Sequence, residues 1–116
     1  FGLSCYGCCE PLDNKMHVVR KIENLRRVSM SPWVDVARAS EAVGKDYVYT
    51  HKPNPTIVSM ETWDPELARN DLRDTFEKTR ENVLEMNLQD LHTVRGEPRR
   101  LTEWTAMAMQ MAEEYA

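Results

Sequence analysis

The sequence predicts an α/β fold built from four consecutive βα units. Short apolar runs alternate along the chain with longer stretches in which apolar residues recur at helical spacing, a pattern typical of parallel strands joined by helices. The 116 residues are enough for one compact core but too few for two domains of ordinary size. We therefore expect residues 1–116 to form a single domain.

The first two units precede residue 45. "FGLSCY" is the first predicted strand, and the helix after it has one apolar face whose residues are four, three and three positions apart. These residues are Leu12, Met16, Val19 and Ile22. "LRRVSMS" is the second strand. In the helix "SPWVDVARASEAVG" we expect Ser31 to be the N-cap, Pro32 to lie in the first turn and Gly44 to end the helix.

The other two units follow. "KDYVYTH" is the third strand, which ends before Pro53 because proline lacks the amide hydrogen of a sheet ladder. Asp64 is expected to cap the next helix, and Pro65 to begin it. In the fourth strand, "VLEMNLQD", Glu85 and Asn87 alternate with apolar residues, so we expect polar side chains on one face of the sheet. The two buried helical stripes are predicted to be Ala68, Leu72 and Phe76 with Thr79 or Val83, and Leu101, Trp104, Ala108, Met111 and Tyr115.

Composition restricts the partners of this chain. Hydrophobic residues make up 41% of it, and no run approaches the ~20 apolar residues of a membrane span. The net charge of −4 argues against nucleic acid as the main partner, and the basic pairs at 26–27 and 99–100 are assigned to solvated surface. Three cysteines within five positions do not make a disulfide framework, and no secretory signal is recognised, so we expect a cytoplasmic protein.

Polar residues follow each predicted strand. The loops after parallel strands meet at the edge formed by the strands' C-terminal ends, where βα folds place their chemistry. We expect that edge to carry Cys5, Cys8, Cys9 and Glu10 after the first strand, Trp33 after the second, His51 and Lys52 after the third, and Asp90 and His92 after the fourth.

The cysteines suggest a metal site. Cys5 and Cys8 have the C-x-x-C spacing that lets two thiolates reach one ion, and thiolates suit zinc. Cys9, Glu10 or His92 would supply further ligands. Because one such pair is only half of a structural zinc site, two alternatives stay open: small apolar packing residues, or redox-active thiols.

The remaining polar residues are candidates for substrate binding and acid–base chemistry. His51 and Lys52 are suited to bind an anionic group, although Lys52 pairing with a nearby carboxylate is the alternative. Trp33 is a candidate pocket wall. Asp90 and His92 are two positions apart, so they can act as an acid with its orienting partner or as metal ligands; a hydrogen bond that closes the loop is the alternative.

Four segments carry a resemblance to a known family. "GLSCYGCCEPLD", "NLRRVSMSPWVDV", "YVYTHKPNP" and "LQDLHTVRGEPRRLTEW" together resemble the C-terminal part of proteins in the uroporphyrinogen decarboxylase superfamily. That superfamily also contains methyltransferases that act between corrinoids and thiols such as coenzyme M. The resemblance implies that this chain is the C-terminal half of a (β/α)8 TIM-type barrel, and that it is a piece of a longer protein.

The resemblance also implies a function. We expect a methyltransferase that moves a methyl group between a corrinoid and a small-molecule thiol, with zinc held by Cys5, Cys8 and either Cys9 or Glu10. His92 would be a fourth ligand or would orient the substrate. Since the His-x-Cys pair of the methyltransferase branch is absent, a tetrapyrrole decarboxylase and a noncatalytic half-barrel module stay open. A half barrel has two unpaired edge strands, so we expect a homo-oligomer or pairing with an N-terminal half-barrel.

Overall fold

The computed structural model describes residues 2–7 and 9–116 and confirms the α/β class. Four strands form one parallel sheet in chain order: β1 (Ser4–Gly7), β2 (Leu25–Met30), β3 (Val48–His51) and β4 (Val83–Met86). The helices are α1 (Met16–Val19), α2 (Val36–Val43), α3 (Thr56–Ser59), α4 (Pro65–Lys78) and α5 (Arg99–Glu114). Across the described residues, no helix has both the length and the apolar character needed to cross a membrane.

The chain divides into two compact units. The first consists of residues 2–52, apart from position 8, together with Lys78–Asn87, and it contains the sheet, α1 and α2. The second consists of Pro53–Glu77 and Leu88–Ala116, and it contains α3, α4 up to Glu77, and α5. The single domain expected from the sequence stays a prediction.

One face of the sheet carries the core of the first unit. Val28 and Met30 of β2 and Tyr49 of β3 are completely excluded from solvent. Their partners in this core come from the segments around α1 and α2: Leu12, Met16, Val19, Val34, Ala39 and Val43. The apolar face predicted around α1 is therefore confirmed except at Ile22, which is exposed because α1 ends at Val19.

Helix α2 begins later than the sequence pattern suggests. Asp35 is its N-cap, and its Oδ1 accepts a hydrogen bond of 3.0 Å from the backbone amide of Arg38, which lowers the pKa of the Asp35 carboxyl. The prediction of Ser31 as the cap was wrong: its hydroxyl accepts from the amide of Trp33 in the turn before the helix. Gly44 ends α2 as predicted, at a φ of 58° that favours a residue without a Cβ.

Asn82 connects the end of α2 to the start of β4. Its Nδ2 donates to the carbonyls of Ser40 at 3.0 Å and Gly44 at 2.8 Å, and its Oδ1 accepts from the Ser40 hydroxyl at 2.5 Å. The Ser40 carbonyl also accepts from the Gly44 amide, whereas the Gly44 carbonyl lies beyond the end of the helix, where Asn82 gives it a partner.

The two long helices of the second unit were predicted, whereas the short α3 was not. The Asp64 carboxylate accepts from the amides of Glu66 and Leu67, both at 3.1 Å, so it caps α4 as predicted. Ala68, Leu72, Phe76 and Thr79 are buried, whereas the alternative Val83 belongs to β4 and is half exposed. In α5, Trp104 and Met111 are buried as predicted, but Leu101 is exposed. The other buried residues of α5 are Arg100 and Met107.

Arg100 is buried although the sequence suggests solvated surface. Its side chain is 2% exposed, and its guanidinium donates to the Glu97 carboxylate at 2.7 Å. It also donates to three carbonyls at the end of α3, those of Val58 (3.0 Å), Met60 (2.5 Å) and Glu61 (3.1 Å). The rigid fork of N–H donors in arginine suits such a cluster of acceptors. Arg100 is therefore buried because it forms hydrogen bonds with carbonyls about forty residues away in the sequence.

Arg100 and its neighbour Arg99 form a matched pair for a stability measurement. We expect Arg100→Met to destabilise the protein by about 3–5 kcal/mol, because it leaves buried carbonyls and the Glu97 carboxylate without their donor. Arg99, whose side chain is 64% exposed, makes only surface ion pairs, so Arg99→Met should cost less than about 1 kcal/mol. Urea denaturation of both variants measures the difference. Equal losses would contradict the structural role assigned to Arg100.

Candidate functional site

The face of the sheet opposite the apolar core is polar. Side chains alternate between the two faces of a strand, so burial of Val28 and Tyr49 on one face puts Arg27 and Thr50 on the other. Glu85 is paired in register with Thr50 and lies on the same side. The expectation that Glu85 belongs to a polar sheet face is therefore confirmed.

Arg27 and Glu85 join β2 to β4 across β3. The Nη1 group of Arg27 lies 3.0 Å from both carboxylate oxygens of Glu85, and the Thr50 hydroxyl donates to Glu85 Oε2 at 2.7 Å. The hydrogen bond from Thr50, and then the contact with Arg27, hold the pKa of Glu85 below its usual value. The carboxylate is therefore charged near pH 7 and keeps the guanidinium in a defined place.

Cys5 is part of the same face. It lies within β1, in register with Arg27 of the neighbouring strand. The contact with Cys5, followed by that with Glu85, raises the pKa of Arg27, so the guanidinium stays protonated. The expectation that Cys5 lies at the C-terminal end of the strand was wrong, because β1 continues to Gly7.

A cavity of about 450 Å³ opens beside these residues. Cys5, Arg27, Val48 and Glu85 line it, and Arg26 is a further lining residue. This volume is in the range of small-molecule sites in proteins. The cavity therefore combines a thiol, two arginines and one carboxylate already paired with Arg27.

The residues that follow β1 lie in a loop. Cys9 is a free, exposed cysteine, and the carboxylate of the exposed Glu10 lies 2.8 Å from the Lys15 ammonium. Cys8, which was predicted to be a metal ligand, lies outside the described residues. Trp33, after β2, is 63% exposed and is not among the residues that line the cavity, so its role as a pocket wall stays a prediction.

His51 and Lys52 differ strongly in burial. Lys52 is half-buried, whereas His51 is only 5% exposed on the core side of β3, with its ring centroid 6.1 Å from that of Tyr49. Burial lowers the pKa of His51 to about 4, so the imidazole is neutral at pH 7. An anion bound here would therefore gain a positive charge from Lys52 but not from His51.

Asp90 and His92 belong to the second unit, and both side chains are exposed. Asp90 has a φ of 59°, a conformation that aspartate tolerates better than most residues. Their role as an acid with its orienting partner stays a prediction.

The described residues do not complete a metal site. Among them, no three His, Cys, Asp or Glu side chains are grouped closely enough to hold an ion. Cys9 and Glu10 are two adjacent donors, which is fewer than the three protein ligands of a catalytic zinc site. Arg27 beside Cys5 adds a positive charge that disfavours a cation at that thiol.

Sequence reasoning missed Asp13, Arg27 and Thr50 as parts of polar clusters. Asp13 is buried, and its carboxylate pairs with Arg38 at 3.2 Å. The signal for Arg27 was available, because it directly precedes the apolar Val28 and so faces the opposite side of β2. The signal for Asp13 was absent, since its partner is twenty-five residues away.

Comparison of the chain with protein-family models, with curated proteins and with solved structures found no match.

The buried His51 predicts a specific dependence of stability on pH. The pKa is about 4 when folded and about 6.5 when unfolded, so the unfolded chain binds more protons between these values. The free energy of unfolding therefore has its full value above pH 6.5 and falls as the pH drops through this range, by roughly 2–3 kcal/mol at pH 4. Urea denaturation of wild type and His51→Gln at pH 4.5 and 7 measures this loss.

We expect the decrease from pH 7 to pH 4.5 to be much smaller in His51→Gln than in wild type. The exposed His17 provides the control, and His17→Gln should keep the wild-type slope. If all three proteins lose the same free energy of unfolding over this range, the burial of a neutral His51 is not what makes stability depend on pH.

Proposed function

We propose that the chain is the C-terminal half of a (β/α)8 barrel of the uroporphyrinogen decarboxylase type. The observation that carries this proposal is the sheet: four parallel strands in chain order, apolar on one face and polar on the other. In a (β/α)8 barrel, strands follow one another in chain order, one face of each strand meets the helices, and the other lines the interior. The polar group of Arg27, Thr50 and Glu85 would then lie inside the barrel.

We further propose that this half-barrel takes part in methyl transfer between a corrinoid and a thiol. Support comes from Cys9, in the loop after the C-terminal end of β1, where barrel enzymes carry their reactive groups. Cys8, Cys9 and Glu10 are the proposed zinc ligands, and Cys5 is the weakest candidate because the positively charged Arg27 is its neighbour on β2. When bound, zinc would lower the pKa of an incoming thiol. Lys52 would bind the substrate's anionic end.

A tetrapyrrole decarboxylase is the second candidate function. Its support is the cavity, because Arg26 and Arg27 both line it and guanidinium groups pair well with the carboxylates that such substrates carry. In that case the cysteines after β1 would hold no metal.

The methyltransferase proposal predicts that zinc content depends on the cysteine after β1 that it assigns as a ligand. We expect close to one zinc per chain in the wild type, loss of most of it in Cys8→Ser, and its retention in the control Cys5→Ser. Elemental analysis measures zinc, and transfer from methylcobalamin to coenzyme M measures activity, which should fall with the metal. If Cys8→Ser leaves zinc content and transfer unchanged, the cysteines do not hold a catalytic metal.

We also propose that the chain assembles through its sheet edges. β1 and β4 are the outer strands of the sheet, and an unpaired strand edge attracts another strand. We expect a dimer or larger assembly in sedimentation velocity at micromolar concentration. The Asn87 amide donates to His51 of β3, and amides alternate along a strand, so the Met86 amide faces the outer edge of β4. Replacing Met86 with proline removes this donor and should weaken the assembly. A monodisperse monomer would contradict this proposal.

A further inference from the structure

Two exposed free cysteines of the described chain have different surroundings. Cys5 lies in β1, in register with Arg27, and both residues line the 450 Å³ cavity. Cys9 lies in the loop after β1, next to Glu10 in sequence and outside the residues that line the cavity. The two thiols are thus similar in exposure but not in the charge around them.

The charges beside Cys5 favour an anionic ligand. Both contacts of Arg27 with the Glu85 carboxylate come from Nη1, so Nη2 and Nε remain for the thiol and for a ligand. Arg26 lines the same cavity and adds a second positive charge. Guanidinium groups bind carboxylates through paired hydrogen bonds, and fixed positive charges in a cleft raise the local concentration of anions.

We propose that Cys5 is a thiol–disulfide exchange site selective for anionic low-molecular-weight disulfides, whose carboxylates bind Arg26 and Arg27. The Cys5 thiolate, its proton released to solvent, attacks one sulfur of the disulfide. A new S–S bond forms at Cys5 as the ligand's own S–S bond breaks, and the second sulfur leaves with the electron pair as a thiolate. Cys5 is thereby oxidised and the departing half of the ligand is reduced, with no other reactant.

The experiment compares two single-cysteine variants with two disulfides of opposite charge. Cys8→Ser with Cys9→Ser leaves only Cys5, and Cys5→Ser with Cys8→Ser leaves only Cys9. Each is treated at pH 8 and low ionic strength with oxidised glutathione, which is anionic, and with cystamine, which is cationic. Mass spectrometry of the intact protein against time gives the four rate constants. The readout is the ratio of the glutathione rate to the cystamine rate, in which the intrinsic reactivity of each thiol cancels.

We expect this ratio to be at least about tenfold higher for the Cys5-only variant than for the Cys9-only variant, and to fall in 0.5 M salt as screening removes the attraction. Adding Arg27→Gln together with Glu85→Gln, which removes both partners of the ion pair, should lower the ratio to the Cys9-only level. Arg27→Lys, which keeps the charge, should retain most of the selectivity. Arg26→Gln tests the second charge without changing the Arg27 contacts.

Each alternative outcome overturns the proposal. Equal ratios for the two cysteines would mean that the arginines do not select the ligand, and an unreactive Cys5 would mean that the thiol is not available. A high ratio that persists in Arg26→Gln and in the Arg27→Gln, Glu85→Gln variant would assign selectivity to other residues. None of these measurements reads zinc or methyl transfer, so this proposal and the proposed function fail independently.

Discussion

Val28, Met30 and Tyr49 are completely excluded from solvent on one side of the sheet, and the rest of the first unit depends on this burial. Successive side chains on a strand point to opposite faces, so burying these residues under the α1 and α2 segments leaves the other face to Arg27 and Thr50. A slip of one residue in register would exchange the two sets. The hydrophobic core therefore determines which side of the sheet can carry chemistry.

The two arginines that organise polar groups do so with different energetic consequences. Arg27 and Glu85 are both more than 40% exposed, and a pair so accessible to water contributes little to stability. Its effect is positional, because it holds a guanidinium beside Cys5. Arg100 is 2% exposed, so loss of its hydrogen bonds would leave buried acceptors unsatisfied. The first arginine is thus suited to a binding site and the second to a structural role.

The cysteines cluster in sequence but separate in the fold. Cys5 is a strand residue beside Arg27, whereas Cys9 is a loop residue beyond the end of β1. Positive charge beside a thiol favours an anionic ligand and disfavours a metal ion. The cysteines therefore need not share one chemistry. We accordingly propose metal binding for the loop after β1 and exchange with an anionic disulfide for the strand itself.

The sequence by itself determined the features that depend on neighbours within a few residues. Alternation and helical spacing predicted the four strands and every helix except the short α3, Asp64 and Gly44 marked helix ends correctly, and the pattern around Glu85 predicted the polar face. Local pattern did not decide between Ser31 and Asp35 as a cap, because both residue types suit that position. Tertiary structure alone decided the burial of Arg100 and the contact between Cys5 and Arg27. In both cases the partner is distant in the sequence, and only strand register and helix packing bring the groups together.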